Sequence, residues 1–171
     1  GIDVLLPSIG VMVEVPAAVY LSAQLASRVD FLSVGSNDLT QYLLAVDRNN
    51  SSVAELYNSY HPAVLQALVH VARAGHAAGK PVSICGELAG DPGAAVLLMA
   101  MGYDSLSMNA TNLPKVKSVL RSVSKTEADA LLEQVMAMHE IEDIRSAVEV
   151  LFEEKGITRL FRDKIKQRQL M

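Results

Sequence analysis

Short β-branched and apolar runs alternate with longer segments of helical period through the first two-thirds of the chain. Gly10-Val11-Met12-Val13-Glu14-Val15 reads as a strand closed by Pro16, and proline suits the first turn of a helix over Ala17 to Ala26. Asp30 to Gly35 is a second strand, after which Asp38 to Leu44 returns to helical spacing. A third strand, Pro81 to Cys85, precedes Gly86 and the alanine-rich helix Gly93 to Met101. The fourth, Ser105 to Met108, ends at Asn109 ahead of a helix over Leu113 to Ser122. Strands separated by helices predict βαβ units and a parallel α/β sheet.

The second and third strands are the furthest apart. Their connection holds a loop, Val46 to Pro62, before a helix over Ala63 to Ala78. This loop leaves the C-terminal end of its strand, where parallel α/β sheets place their ligands, and loops of that length are usually functional. The last third changes character. Ser124 to Lys155 reads as helix throughout, with Ser124 as N-cap and Glu127 completing a capping box, and carries nine acids against three bases. Gly156 then interrupts, and Arg159 to Arg168 forms a basic tail with five bases and one acid, most simply a solvated helix end or a contact to another subunit.

Composition narrows the class. With 50% hydrophobic residues and a net charge of −4 over 171 residues, the chain can bury a sizeable core and is not disordered. Its longest apolar stretches, such as Ala94 to Met101, fall far short of the roughly 20 residues that span a bilayer. No signal segment opens the chain, and a single cysteine, Cys85, suits a reducing cytoplasm. A sequence pI of about 5.5 argues against nucleic acid as the main partner.

The chemistry-bearing residues gather at strand ends. Glu14, Asn37 with Asp38, Cys85 with Gly86 and Glu87, and Asn109 all point toward one end of the sheet. Two carboxylates beside an amide suit Mg²⁺, which takes one or two protein carboxylates and completes its shell from substrate and water. A strand-end acid that merely caps the next helix is equally compatible with these residues. Gly35-Ser36-Asn37-Asp38 passes from strand to helix, so its backbone N–H groups suit an anion, as they also suit an ordinary β–α turn. Arg48 in the long loop fits a phosphate or carboxylate clamp, or a solvated charge paired with Asp47. Cys85 fits a small buried hydrophobe or, beside Gly86 and a helix start, a reactive thiol. His61 borders the same face, whereas His70 and His76 fall on a helix.

Four ordered segments carry a family resemblance: Val13-Glu14-Val15-Pro16-Ala17-Ala18, Ser33-Val34-Gly35-Ser36-Asn37-Asp38-Leu39-Thr40-Gln41-Tyr42, Ala45-Val46-Asp47-Arg48-Asn49 and Ile84-Cys85-Gly86-Glu87-Leu88-Ala89-Gly90-Asp91. Together with Ser105 to Ala110, they resemble the phosphoenolpyruvate-utilising enzymes, and among these the phosphoenolpyruvate–protein phosphotransferases. The likeness runs from about Gly10 to Leu120, and the tail is more similar to the nitrogen-related branch than to the sugar branch. It implies that Glu14 and Asp38 bind Mg²⁺, that Gly35 and Asn37 contact the phosphoryl group of phosphoenolpyruvate, that Arg48 also binds this substrate, and that Cys85 is the acid/base at C3 of enolpyruvate. Ser36 stands where threonine is more usual.

The resemblance also implies a (β/α)8 TIM barrel, of which four strands make half. The expectation is therefore the second half of such a barrel over residues 1–123, with a C-terminal helical segment over 124–171. The family's two substrate-binding arginines of the first half are then absent, as is the domain with the phospho-accepting histidine. None of His61, His70, His76 or His139 sits in that histidine's motif. A parent enzyme would pass the phosphoryl group to a small phosphocarrier protein and release pyruvate, while this chain alone is expected to be inactive. Pyruvate, phosphate dikinase and phosphoenolpyruvate synthase share the superfamily, and a non-catalytic dimerisation or regulatory module is the alternative of another class. Strands at Gly10 and Ser105 are expected to be free edges, which predicts self-association and a homodimer.

Overall fold

Four short strands lie side by side and all run the same way in the computed structural model, which describes residues 5–158. They are β1 (Gly10–Val13), β2 (Phe31–Gly35), β3 (Val82–Cys85) and β4 (Ser105–Ser107), in the order β1-β2-β3-β4. Each strand pairs with the next in sequence, which is the winding of an arc of a (β/α) barrel, and the expected parallel α/β class holds. Among the described residues, the outer edges of β1 and β4 carry no partner strand. The basic tail from Arg159 lies outside the described residues.

The period of two along each strand separates two faces. Val13, Val34 and Ile84 stand in one lateral row and are fully buried, as are Leu32 and Val82. The alternate row, Met12, Ser33, Ser83 and Ser105, is only partly buried or exposed. Helices account for this difference, because they return over the apolar face after each strand. α1 (Pro16–Tyr20), α2 (Ser22–Ala26) and α3 (Ser36–Leu44) occupy the first two connections, and α4 (Pro62–Ala77) buries Val64, Leu65, Leu68 and Val71 behind the strands. α5 (Pro92–Met101) is apolar on every side and buried from Pro92 to Leu98; Asp91 caps its start.

Two predicted helices are divided. The helix expected over Ala17 to Ala26 breaks at Leu21, where the fully buried Ser22 hydroxyl donates back to the Val19 carbonyl at 2.6 Å. A serine turned onto the preceding turn competes with the regular ladder. The continuous helix expected over Ser124 to Lys155 is instead a hairpin of α7 (Lys125–Met136) and α8 (Ile141–Glu154), following α6 (Leu113–Ser122). Neither glycine nor proline marks the bend. Folding back lets Leu131 and Val135 of α7 share a core with Ile144, Val148 and Phe152 of α8, which a single long helix would leave in water. The capping box is present, and Glu127 also pairs with Lys155, joining the start of α7 to the residue that follows α8.

Candidate active site

Parallel pairing brings three of the predicted residues onto one row. Gly35 ends β2 in register with Cys85, which ends β3. Glu14 follows Val13, the partner of Val34, and so stands beside Gly35 at the end of β1. The approach is close: a Cβ at Gly35 would lie 3.0 Å from Glu14 Oε2 and 3.1 Å from Glu14 Cβ. Glycine at this position leaves the carboxylate room on the less covered face of the sheet. Glu14 and Cys85 are both partly exposed there.

The turn after β2 supplies the next residues. α3 begins at Ser36 directly after the strand, so Asn37 and Asp38 sit in its first turn, where a carboxylate is favoured by the helix dipole. Ser36 donates its hydroxyl to the Cys85 carbonyl at 2.7 Å, and Asn37 Oδ1 accepts from the Glu87 amide at 3.0 Å. These two bonds clasp the end of β2 to the turn after β3. Gly86 makes the clasp possible. Its φ is +106°, and a Cβ there would lie 2.9 Å from Asn37 Oδ1 and overlap the Ser36 hydroxyl.

The long loop folds toward this clasp. Arg48 Nη2 lies 4.0 Å from Asp38 Oδ1, with the two side chains 35% and 46% exposed, so both groups face solvent while remaining neighbours. Its backbone amide donates to Gln41 Oε1 at 3.4 Å, and Asp47 Oδ1 accepts from the Asn49 amide at 2.9 Å. Tyr57, further along the loop, donates its hydroxyl to the Asn37 carbonyl at 3.1 Å. Tyr60 donates to Asp91 Oδ1 at 2.6 Å, and its hydroxyl is held well above the usual tyrosine range by burial first and by the Asp91 carboxylate second.

Other candidates take different places. His61 caps α4, with Nδ1 accepting from the Ala63 amide at 3.1 Å. His76 meets Asp104 at 3.1 Å near the start of β4, at the opposite end of the strands. Asn109 and Glu87 are exposed. Sequence reasoning missed the loop anchors Tyr57 and Tyr60; the available signal is two of the chain's five tyrosines within one long connection.

The donor set suits a hard divalent cation. Glu14 and Asp38 provide two partly exposed carboxylates, the number Mg²⁺ takes from protein when substrate and water complete its shell. No group of three or more His, Cys, Asp or Glu side chains is placed to hold a metal among the described residues. Nor is any helix among the described residues long and apolar enough to cross a membrane.

Comparison with known proteins gives the family. Residues 6–125 match the family described as PEP-utilising enzyme, PEP-binding domain. A protein of Escherichia coli strain K12 named phosphoenolpyruvate-dependent phosphotransferase system is 43% identical over 162 residues, which is 95% of this chain and 22% of that protein. The phosphoenolpyruvate-protein phosphotransferase of Geobacillus stearothermophilus is 44% identical over 144 residues, 84% of this chain and 25% of its own length. That of Haemophilus influenzae is 43% identical over 149 residues, 87% of this chain and 26% of its own length. The chain thus spans about a quarter of the length of these curated relatives. With the family's segment covering both the four-stranded sheet and the cluster at its strand ends, the chain belongs to the phosphoenolpyruvate-utilising enzymes, through their PEP-binding domain.

Proposed function

We propose that this chain carries part of the phosphoenolpyruvate site of a phosphoenolpyruvate–protein phosphotransferase. The observation that carries the reading is the row Glu14, Gly35 and Cys85 at adjoining strand ends, with Asp38 in the helical turn that follows Gly35 and Arg48 4.0 Å from Asp38. Phosphoryl transfer is chiefly positioning and charge neutralisation, and these are the functions such groups perform. Arg48 and the amides at the start of α3 bind the phosphoryl oxygens, while the Asn37 side chain is held in place by the Glu87 amide. Glu14 and Asp38 would hold Mg²⁺, which when bound supplies positive charge to the phosphoryl oxygens.

As the bond between phosphorus and the enol oxygen breaks, the phosphoryl group leaves for an acceptor histidine elsewhere in the parent protein. Cys85 gives its thiol proton to C3 of the enolate, forming pyruvate and leaving a thiolate. The parent then passes the phosphoryl group to a phosphocarrier protein. Homodimerisation belongs to the same reading, and Ile9 and Met12, exposed beside and on β1, are apolar surface that a partner would cover. Sedimentation as a monomer at tens of micromolar would remove that part.

Titration calorimetry with Mg²⁺ and phosphoenolpyruvate tests the site. Saturable binding is expected, weakened about 10- to 100-fold in Arg48→Ala because a charge-assisted hydrogen bond is lost. Glu14→Ala should abolish the dependence on Mg²⁺. No binding at millimolar ligand would leave a dimerisation or regulatory module as the reading instead.

A further inference from the structure

The loop that carries Arg48 is also held from the C-terminal hairpin. Tyr60 is 4% exposed, and the oxygen of Asp91 that accepts its hydroxyl also caps α5, accepting from the Gly93 amide at 3.0 Å and the Ala94 amide at 3.1 Å. The guanidinium of Arg145, on α8, lies 5.2 Å from the centre of the Tyr60 ring. That is within the range of a cation–π contact. Arg145 Nε is buried without a hydrogen-bond partner among the described residues, so the electron-rich ring face is the kind of neighbour that favours the charge there. Three residues before Tyr60, Tyr57 is bonded to the Asn37 carbonyl. Besides the contacts of Arg48 itself, the loop therefore has two tyrosine pins, one on the β2 turn and one on Asp91, and a residue of α8 stacks on the second.

Attachment of α8 does not need this contact. Ile144, Ala147, Val148 and Phe152 already bury its apolar face, whereas Arg145 is only partly buried. We infer that Arg145 is a positioning residue for the substrate loop: through Tyr60 and Asp91 it fixes the segment that presents Arg48. The role in ligand binding rests on the phosphoenolpyruvate-site reading; the pinning of the loop does not.

Hydrogen exchange on the full chain reads the pin directly. Amides of Val53, Ala54, Leu56, Tyr57 and His61 are hydrogen-bonded within the loop, so they exchange through local opening. Arg145→Met keeps the aliphatic stem and removes the charge. It should speed exchange at these amides by about two- to thirtyfold, the worth of a cation–π contact, while amides of β2 and β3 keep their wild-type rates. Arg145→Lys should recover part of the protection. The dissociation constant for phosphoenolpyruvate should rise by a similar factor in Arg145→Met. Tyr60→Phe, which keeps the ring but not the bond to Asp91, is a second route to the same opening.

Wild-type exchange of the loop in both Arg145→Met and Tyr60→Phe overturns the inference. So does a uniform rise at every amide, which would mark a purely structural residue. Because exchange is read without ligand, failure of wild-type protein to bind phosphoenolpyruvate removes the functional reading alone. An unchanged loop in a protein that does bind it removes the pin alone.

Discussion

Adding one methyl group at Gly86 tests whether backbone contacts hold the site together. With φ at +106°, any residue with a Cβ is strained there by about 1–3 kcal/mol. The added carbon would also overlap the Ser36 hydroxyl and come within 2.9 Å of Asn37 Oδ1. Neither group can swing away without loss, since Ser36 is bonded to the Cys85 carbonyl at 2.7 Å and Asn37 to the Glu87 amide at 3.0 Å. At about 0.5–1.5 kcal/mol for each bond, Gly86→Ala should lose about 2–6 kcal/mol in all. That is a large share of the roughly 5–15 kcal/mol that stabilises a domain. Gly79 supplies the control, because its φ is +66° and a Cβ would meet nothing within 4 Å. Gly79→Ala should therefore show only the backbone cost, about 1–2 kcal/mol. Urea denaturation followed by circular dichroism compares the two variants, and Gly86→Ala should be the less stable by at least about 1 kcal/mol. Equal losses would refute the clasp between the β2 and β3 turns.

Two further outcomes follow from the caps. The Lys155 ammonium first, and the Ser124 amide and hydroxyl next, hold the Glu127 carboxyl down to about 2, below its ordinary 4.5. A depressed carboxyl stabilises fully above its unfolded value and loses that effect as pH falls from about 4.5 through about 2, so the gap in urea midpoint between wild type and Glu127→Gln should close over that window. A gap that persists at pH 2 would contradict the assignment. Asp91→Ala removes the cap of α5 and leaves the buried Tyr60 hydroxyl without its acceptor, at a cost of about 2–5 kcal/mol. Adding Tyr60→Phe should restore part of that loss in a double-mutant cycle, and simple additivity would refute the coupling.

The elements legible in the sequence are those with local causes. Pro16 opens one helix, Ser124 caps another, and the short β-branched runs fall on strands within a residue or two of their observed bounds. The two divided helices were not legible, because Leu21 and the 137–140 bend have no breaker of their own and are set by what Ser22, Ile144 and Phe152 bury. The position of Glu14, Gly35 and Cys85 at strand ends is legible in the sequence, whereas their contacts are not. Tyr57 and Tyr60 lie in a loop with no period, and their partners, Asn37 and Asp91, belong to other elements. A phenol that bonds across the fold leaves no local trace in the chain.

Cluster and core are linked through one geometric fact. Side chains alternate along each strand, so the row Glu14, Gly35 and Cys85 faces one way because the preceding row, Val13, Val34 and Ile84, faces the other. The second row is fully buried against the helices. A slip of β1 by one residue would turn Val13 to the less covered face and drive the Glu14 carboxylate into an apolar layer, where an unpaired charge costs several kcal/mol. Burial of three aliphatic side chains thus fixes the register that aligns a carboxylate, a glycine and a thiol from separate segments. The core's apolar pattern is accordingly part of the site's specification, and substitutions at Val13 or Val34 should disturb Glu14 without touching any ligand.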